Sequence, residues 1–252
     1  MLKTLLKQLQ MENKMKWYIF FFFLISSSIY GQNYQIDYKF SIIDTKDEYG
    51  IIGFSITRMI TNQIESLTFG RNIDTIAIFE TGKEPHVQES TDFVAIQYKT
   101  FIDGKRYSRT IFPKYNLMDE DYSVMWEIND STKNILGFKC QQATGNYRGR
   151  NYTAYFTSDI PIQSGPHTFD NLPGLVLEVY SDDKVVKFKA IEVKETTEKI
   201  RNPYLFENKE FISWRDFMIS YKEYFNKMIN YKPEEDIIII VPNRSIEVYF
   251  SD

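Results

Sequence analysis

The stretch Ile160-Pro-Ile-Gln-Ser-Gly-Pro-His-Thr-Phe-Asp-Asn-Leu-Pro-Gly-Leu-Val-Leu-Glu-Val-Tyr180 decides how the rest of the chain is read. Gly165-Pro166 and Pro173-Gly174 are turn signals, because proline presets φ and glycine enters conformations closed to other residues. The apolar run that follows, Leu175-Val-Leu-Glu-Val-Tyr180, reads as a strand. Pro173 and Gly174 fit the two central positions of a type II turn, with Leu172 and Leu175 dropping into a core on either side. Asn171 suits a left-handed position. A double turn that aims a buried strand is the first expectation. The second is that Gly165, Pro166, His167, Leu172, Pro173 and Gly174 form the rim of a cleft, where glycine leaves backbone amides open to a ligand.

C-terminal to this stretch, Lys184 to Val193 reads as a strand pairing with Leu175 to Tyr180, with Ser181-Asp-Asp183 turning between them. Thr196 to Asn208 is a polar connection. Lys209 to Tyr231 carries Phe211, Trp214, Met218, Tyr221, Phe225, Met228 and Ile229 at spacings of three and four, which predicts one long helix stopped by Pro233. Its apolar face is expected to pack on a sheet; alternatively Phe211, Trp214, Met218 and Phe225 line a site for an apolar ligand. Ile237 to Val241 and Ser245 to Phe250 predict two short final strands.

On the N-terminal side, Tyr122 to Ile128, Ile135 to Ala143 and Asn151 to Thr157 read as strands, the last two separated by the turn-prone Thr144-Gly-Asn-Tyr-Arg-Gly-Arg150. Phe93 to Ile102 and Lys105 to Phe112 form a hairpin about Asp103-Gly104, a pair that suits a type I′ turn. Asn72 to Glu80 is a further strand. Residues 51–69 are ambiguous, since Ile52, Ile56, Ile60 and Ile64 recur at helical spacing while β-branched content favours a hairpin turning at Thr61-Asn62. Tyr34, Ile36, Tyr38 and Phe40 alternate with polar residues, the pattern of a strand with one wet face.

Trp126, Ile128, Gly137-Phe138-Lys139-Cys140, Ala143, Arg148-Gly149-Arg150, Tyr152, Ala154, Phe156-Thr157, Ile160-Pro161, Gly165-Pro166 and Asn171-Leu-Pro-Gly-Leu-Val176 stand in an order that resembles the GLPGLI family of exported Gram-negative bacterial proteins. Asn171 and Val176 replace the glycine and isoleucine of the family's name. The resemblance is dense over residues 122–180 and implies export but no reaction, because that family has no established activity.

Lys14 and Lys16 precede the apolar run Trp17 to Ile25, which ends in Ser26-Ser-Ser-Ile-Tyr-Gly31. This is the pattern of a secretory signal peptide over 1–31 with a mature start at Gln32, too short to span a membrane. Residues 32–252 are then one exported domain, with no transmembrane segment. Without 1–31 the formal charge moves from −4 to about −7, which disfavours nucleic acid. The single Cys140 has no disulfide partner and reads as a small buried residue. His86 and His167 lack metal-ligand spacing, so neither metal nor cofactor is expected.

Aromatic residues at 16%, with 18 Tyr and 20 Phe, favour sheet surfaces. The fold expected is β-rich α+β: an antiparallel, strongly twisted sheet of roughly eight to eleven strands, curled towards a half-barrel, with one long C-terminal helix packed on it. No acid, base or nucleophile cluster stands out, so a non-enzymatic periplasmic binding, carrier or assembly-accessory module is the leading expectation, with an envelope protein or apolar ligand as partner. An enzyme whose carboxylates Asp159, Asp170 and Glu178 meet in space is the alternative, with Cys140 and His167 as a weaker thiol pair. A sheet edge offered to another protein is the third. Arg148 and Arg150 read as a solvated hairpin end or a salt bridge across it or, more sharply, as an anion or carboxylate contact.

Overall fold

The computed structural model describes residues 32–44, 51–71, 77–78, 86–87, 93–110, 114–205, 210–230 and 245–249. The expected signal peptide, most of the 72–80 strand, Pro233 and the 237–241 strand lie outside the described residues.

Strands β1 (Asn33–Asp44), β2 (Ile51–Thr61), β3 (Glu65–Arg71), β6 (Phe93–Thr100), β7 (Lys105–Arg109), β8 (Asn116–Asp119), β9 (Met125–Ile135), β10 (Phe138–Tyr147), β11 (Arg150–Thr157), β12 (Leu175–Ser181), β13 (Val186–Thr196) and β14 (Phe211–Ile212) form one twisted open sheet. Their order is β14-β8-β7-β6-β3-β2-β1-β13-β12-β11-β10-β9. Every pairing is antiparallel except the short β14–β8 contact. β4 (Ala77–Ile78) and β5 (His86–Val87) pair separately. Among the described residues one helix, α1 (Trp214–Ile229), follows β14. The architecture is the β-rich α+β arrangement expected.

Residues 51–69 are the hairpin, not the helix. Asn62 Oδ1 accepts from the amides of Ile64 and Glu65 at 2.8 and 3.0 Å, which closes the β2–β3 turn. The β6–β7 hairpin exists, but residues 101–104 form a four-residue turn in which Gly104 has positive φ and Asp103 does not. It is therefore not the two-residue type I′ turn expected. That turn chemistry occurs where it was not expected: Leu136-Gly137 and Arg148-Gly149 have φ of 51° and 86°, and 42° and 86°. The first makes β9 and β10 a continuous hairpin through Ile135, and the second lets β10 run through Thr144 to Tyr147. A type I′ turn demands positive φ twice, and Leu and Arg tolerate it here although Asn and Asp are the usual residues.

The helix starts five residues later than expected. Ser213 caps it, its hydroxyl accepting from the Asp216 amide at 3.1 Å, so Phe211 belongs to β14. Ser245 to Phe250 is not a regular strand among its described residues; Val248 donates to the Arg148 carbonyl at 3.0 Å.

The segment 158–174 between β11 and β12 lies against one face of this sheet, here called the inner face, and supplies its central side chains. Ile160, Ile162, Phe169 and Leu172 are buried in the main core with Ile36, Tyr38, Tyr152, Val179 and Phe188. Phe169 sits 4.5 Å from Tyr152 and 6.0 Å from Phe188, ring centre to ring centre. The Tyr38 hydroxyl donates to the Val176 carbonyl at 2.6 Å.

Candidate functional site

The 158–174 segment presents a second, polar side to the other half of the sheet. Thr61 Oγ1 donates to Ser164 Oγ at 2.9 Å, and Lys99 Nζ donates to the Gly165 carbonyl and to Asp170 Oδ2, both at 2.9 Å. Thr168 Oγ1 donates to the Tyr122 carbonyl at 2.5 Å, and Trp126 Nε1 to the Asp170 carbonyl at 2.8 Å.

These contacts identify which residues of β2, β3, β6, β7 and β8 face inward. Thr61, Ser66, Lys99, Arg106 and Asp119 stand opposite one another across those five strands. Each is at most 2% exposed. Side chains alternate across a strand, so the next inward row is Met59, Thr68, Gln97, Ser108 and Leu117, and Thr57 begins a third. The opposite face of the same strands is apolar: Leu67, Tyr98 and Tyr107 pack with Tyr204 and Phe211.

Three ion pairs, centred on two carboxylates, anchor the charged end. Lys99–Asp170 is fully buried. Burial pushes the Lys99 ammonium below the usual lysine range and the Asp170 carboxyl above the usual carboxylate range, each partly offset by the other's charge. Asp119 bridges two arginines: Arg106 Nη2 donates to Oδ2 at 2.7 Å, and Arg148 Nη2 to both oxygens at 2.9 and 2.7 Å. The Arg148 guanidinium also lies 3.8 Å from the Trp214 ring.

Within this polar half, several buried oxygens have no protein hydrogen-bond partner: Thr57 Oγ1, Ser66 Oγ, Thr68 Oγ1 and Gln97 Oε1. Native interiors satisfy the great majority of such atoms. Asp170 Oδ1 and His167 Nδ1 are also without partners.

The expected cleft rim is instead mostly interior. Gly165, Pro166, Leu172 and Gly174 are buried, Pro173 is exposed, and His167 is half-buried at a φ of 53°. Burial, then Arg106, Lys99 and Arg148, holds the His167 imidazole well below its usual pKa and therefore neutral. Asn171 is left-handed at 65°, as expected. Gly174 is required for a different reason from the turn proposed. Its φ of 159° is positive but nearly extended, and a Cβ there would meet the Thr157 carbonyl oxygen at 2.1 Å.

The other candidates are dispersed. Phe211 packs edge-on to Tyr107 at 5.5 Å on the outer face, while Trp214 and Met218 join the Leu117, Phe217 and Tyr221 cluster. Phe211 is thus in a different cluster from Trp214 and Met218, and Phe225 is half-buried. Arg148 is committed to Asp119, and Arg150, its side chain 3% exposed, to Asp183, so both make the carboxylate contact and neither is a solvated hairpin end. Asp159 is exposed in the turn after β11. Glu178 is bound by Lys133 and Lys187 at 2.9 and 3.1 Å, opposite Tyr155 and Lys189 and away from Asp170. Cys140 is fully buried, which pushes its thiol up to about 11 and away from nucleophilic use. Among the described residues no His, Cys, Asp and Glu grouping could hold a metal ion.

The residues that make the polar half were not singled out from the sequence. The available signal was alternation: Gln97 and Lys99 on β6 answer Arg106 and Ser108 on β7. Alternation reveals which residues share a face, not whether that face is wet.

Residues 118–223 match the family model described as the N-glycanase peptide, N-terminal domain. No curated protein matches the chain. Two solved structures of PNGF-II, in C2 and P21 space groups, share the fold, each with a TM-score of 0.50 and with 18% and 17% identity. Each alignment covers 78% of this chain and 33% of the PNGF-II chain, so the chain spans about a third of the length of the protein it resembles. Among the described residues no helix is long and apolar enough to cross a membrane.

Proposed function

We propose that this chain is an exported saccharide-recognition module of the type that accompanies N-glycan-processing enzymes, acting by binding and leaving catalysis to a partner. The observation that carries this reading is the family match over 118–223, which runs from β8 through the 158–174 segment and into α1. The resemblance to the exported GLPGLI family falls within the same stretch. A periplasmic location, with 1–31 removed on export, completes the proposal.

The geometry supports binding over reaction. The apolar half of the inner face is occupied by the chain's own Ile160, Ile162, Phe169 and Leu172, which argues against an apolar cargo there. Asp159, Asp170 and Glu178 do not converge, and two of them are held in ion pairs.

Isothermal titration of the full chain with a high-mannose N-glycopeptide and with the same peptide lacking its glycan tests the reading. Saturable binding of the glycosylated form alone is expected. Equal affinity for both forms, or none for either, overturns it, and glycan release by the chain on its own replaces it with the enzyme reading. Cell fractionation of the chain with and without residues 2–31 tests export: the truncated form should remain in the cytoplasm.

A further inference from the structure

The inner face carries the 158–174 segment, whereas the outer face of the middle strands is exposed. Tyr38, Phe40, Val179 and Phe188 belong to the inner core, so Lys39, Ser41, Tyr180, Lys187 and Lys189, which alternate with them, stand on the outer face. Strand pairing sets these side chains in two rows. One runs Tyr180, Lys187, Ser41 and Phe54 across β12, β13, β1 and β2, and the next runs Glu178, Lys189, Lys39 and Ile56 across the same strands. Lys39, Lys187 and Lys189 are exposed, Tyr180 is half-buried, and Phe54 is 60% exposed.

Lys39 and Lys189 stand directly opposite each other, with Lys187 one step along the same face. Like charges in that relation are unfavourable, and a threonine or an acid at either position would remove the repulsion. Glu178, the carboxylate of the two rows, is buried and taken by Lys187 and by Lys133 of β9 at 3.1 and 2.9 Å. The acids of the row beyond, Asp37 and Glu192, are held by Arg58 and Lys194. Neither Lys39 nor Lys189 has an ion-pair partner among the described residues. The result is a cationic surface on a chain whose formal charge is −4. Lysine often protects the edge of a sheet, but β1 and β13 lie in its middle and have no edge to protect.

Charge complementarity calls for an anionic occupant, and the neighbours of the lysines say which kind. Tyr180 and Phe54 end the first row on either side of Lys187 and Ser41, two aromatic rings three strands apart. The negative face of an aromatic ring attracts the polarised C–H groups of a sugar. The Ser41 and Tyr180 hydroxyls both donate and accept, which suits sugar hydroxyls. An anionic bilayer would also meet the lysines, but binding at a membrane surface draws on buried apolar area as well as charge. In these two rows Phe54 is the one large apolar side chain that is exposed, and a twisted sheet does not lay its whole face on a plane. An extended chain of acidic sugar units fits the charge, the rings and the open shape together.

We infer that the outer face of β12, β13, β1 and β2, around Tyr180, Lys187, Lys189, Lys39 and Phe54, binds a glycan whose sugar units carry carboxylates. This rests on the saccharide-recognition reading and narrows it to acidic glycans at a stated place. Glu178, held between Lys133 and Lys187, acts there as a positioning residue that fixes Lys187 in the first row.

The test is calorimetry of the full chain with a disialylated biantennary N-glycopeptide and with the same glycopeptide after removal of its sialic acids. Wild type is expected to bind both, the sialylated form about tenfold tighter, as two exposed charge contacts allow. The double variant Lys39→Gln/Lys189→Gln should lose that preference and bind the two forms alike. Its melting temperature should stay level or rise, because a like-charge pair is removed. Lys222→Gln/Lys227→Gln, the same charge change at exposed positions of α1, should keep the preference. Phe54→Ser should weaken both forms. If wild type binds the two forms equally, the acidic-glycan assignment is wrong while saccharide recognition stands; if it binds neither, both fall. A preference that survives Lys39→Gln/Lys189→Gln, or that Lys222→Gln/Lys227→Gln also abolishes, overturns the placement on this face, as does unaltered binding by Phe54→Ser. Binding to phosphatidylglycerol vesicles that is tighter than to the sialylated glycopeptide, and is lost in Lys39→Gln/Lys189→Gln, would make the face a membrane contact and overturn the assignment.

Discussion

The two halves of the inner face are built on opposite principles from strands that pair continuously. From β10 through β13 to β1, inward positions carry Ala143, Tyr147, Tyr152, Ala154, Phe156, Val179, Phe188 and Ile36, and the 158–174 segment answers with Ile160, Ile162, Phe169 and Leu172. From β2 to β8, inward positions turn to Thr61, Ser66, Lys99, Arg106 and Asp119, and the same segment answers with Ser164, Thr168 and Asp170. The change falls near β2, where Met59 is apolar and Thr57 and Thr61 flank it. Apolar packing stabilises through area removed from water, whereas buried polar packing is favourable only where each group finds a partner. One half therefore holds together through buried area, and the other through ion pairs and hydrogen bonds to the same segment.

Breaking each half at its centre should cost a similar amount and recover differently. Phe169→Ala empties the middle of the apolar half and is expected to lower stability by about 3–5 kcal/mol. Lys99→Met leaves Asp170 buried without its cation and should cost about as much, roughly 3–5 kcal/mol. Adding Asp170→Leu to Lys99→Met should return most of that loss, since a buried ion pair is worth little against a well-packed apolar pair. Chemical denaturation of the three variants decides it: failure of the double variant to recover would show that Lys99 is held by more than its carboxylate.

Smaller effects sharpen the contrast. Gly174→Val is expected to cost about 1–3 kcal/mol or more, because a Cβ there would run into the Thr157 backbone and the positive φ already disfavours a side chain. Gly174→Ala should be nearly as costly as Gly174→Val; an alanine variant as stable as wild type would sink that explanation. Thr68→Val should raise stability by up to about 1 kcal/mol, in the opposite direction from most core substitutions, by deleting an unpartnered hydroxyl.

The apolar half was legible in the sequence and the polar half was not, for one reason. Leu175 to Tyr180 and the Pro173-Gly174 turn announce burial through composition, and local patterns carried the hairpin at Thr61-Asn62 and the helix after Ser213. Polar residues alternating on β6 and β7 read as a solvated face, since nothing local records that Asp170, about seventy residues away, will cover Lys99. The same limit applies to Asp119, which is joined to Arg148 only by the fold. The turn at Leu136-Gly137 was missed because its first residue lacks the usual turn chemistry. The late helix start reflects a tertiary demand: Phe211 is drawn into pairing beside β8 and against Tyr204 and Tyr107.

Acid should separate two carboxylates that behave oppositely. Asp170 is buried, and burial raises its pKa above the unfolded value despite Lys99, so its contribution to stability is greatest at low pH and is lost as pH rises through the folded value. Glu178 faces away from it. Burial alone would raise its pKa too, but hydrogen bonds from Lys133 and Lys187 outweigh that and hold it below the usual glutamate range. Its contribution is present above the unfolded pKa and is lost as pH falls through the lower, folded one. Because both lysines are substantially exposed, solvent screens this pair, and its effect should be the smallest of those considered. Glu178→Gln should flatten the acid limb of the stability curve below the glutamate range and leave the neutral region little changed, whereas Asp170→Asn should not flatten that limb. Unfolding measured against pH for both variants provides the check, and an unchanged acid limb in Glu178→Gln would show that the Lys133–Glu178–Lys187 bridge contributes nothing measurable.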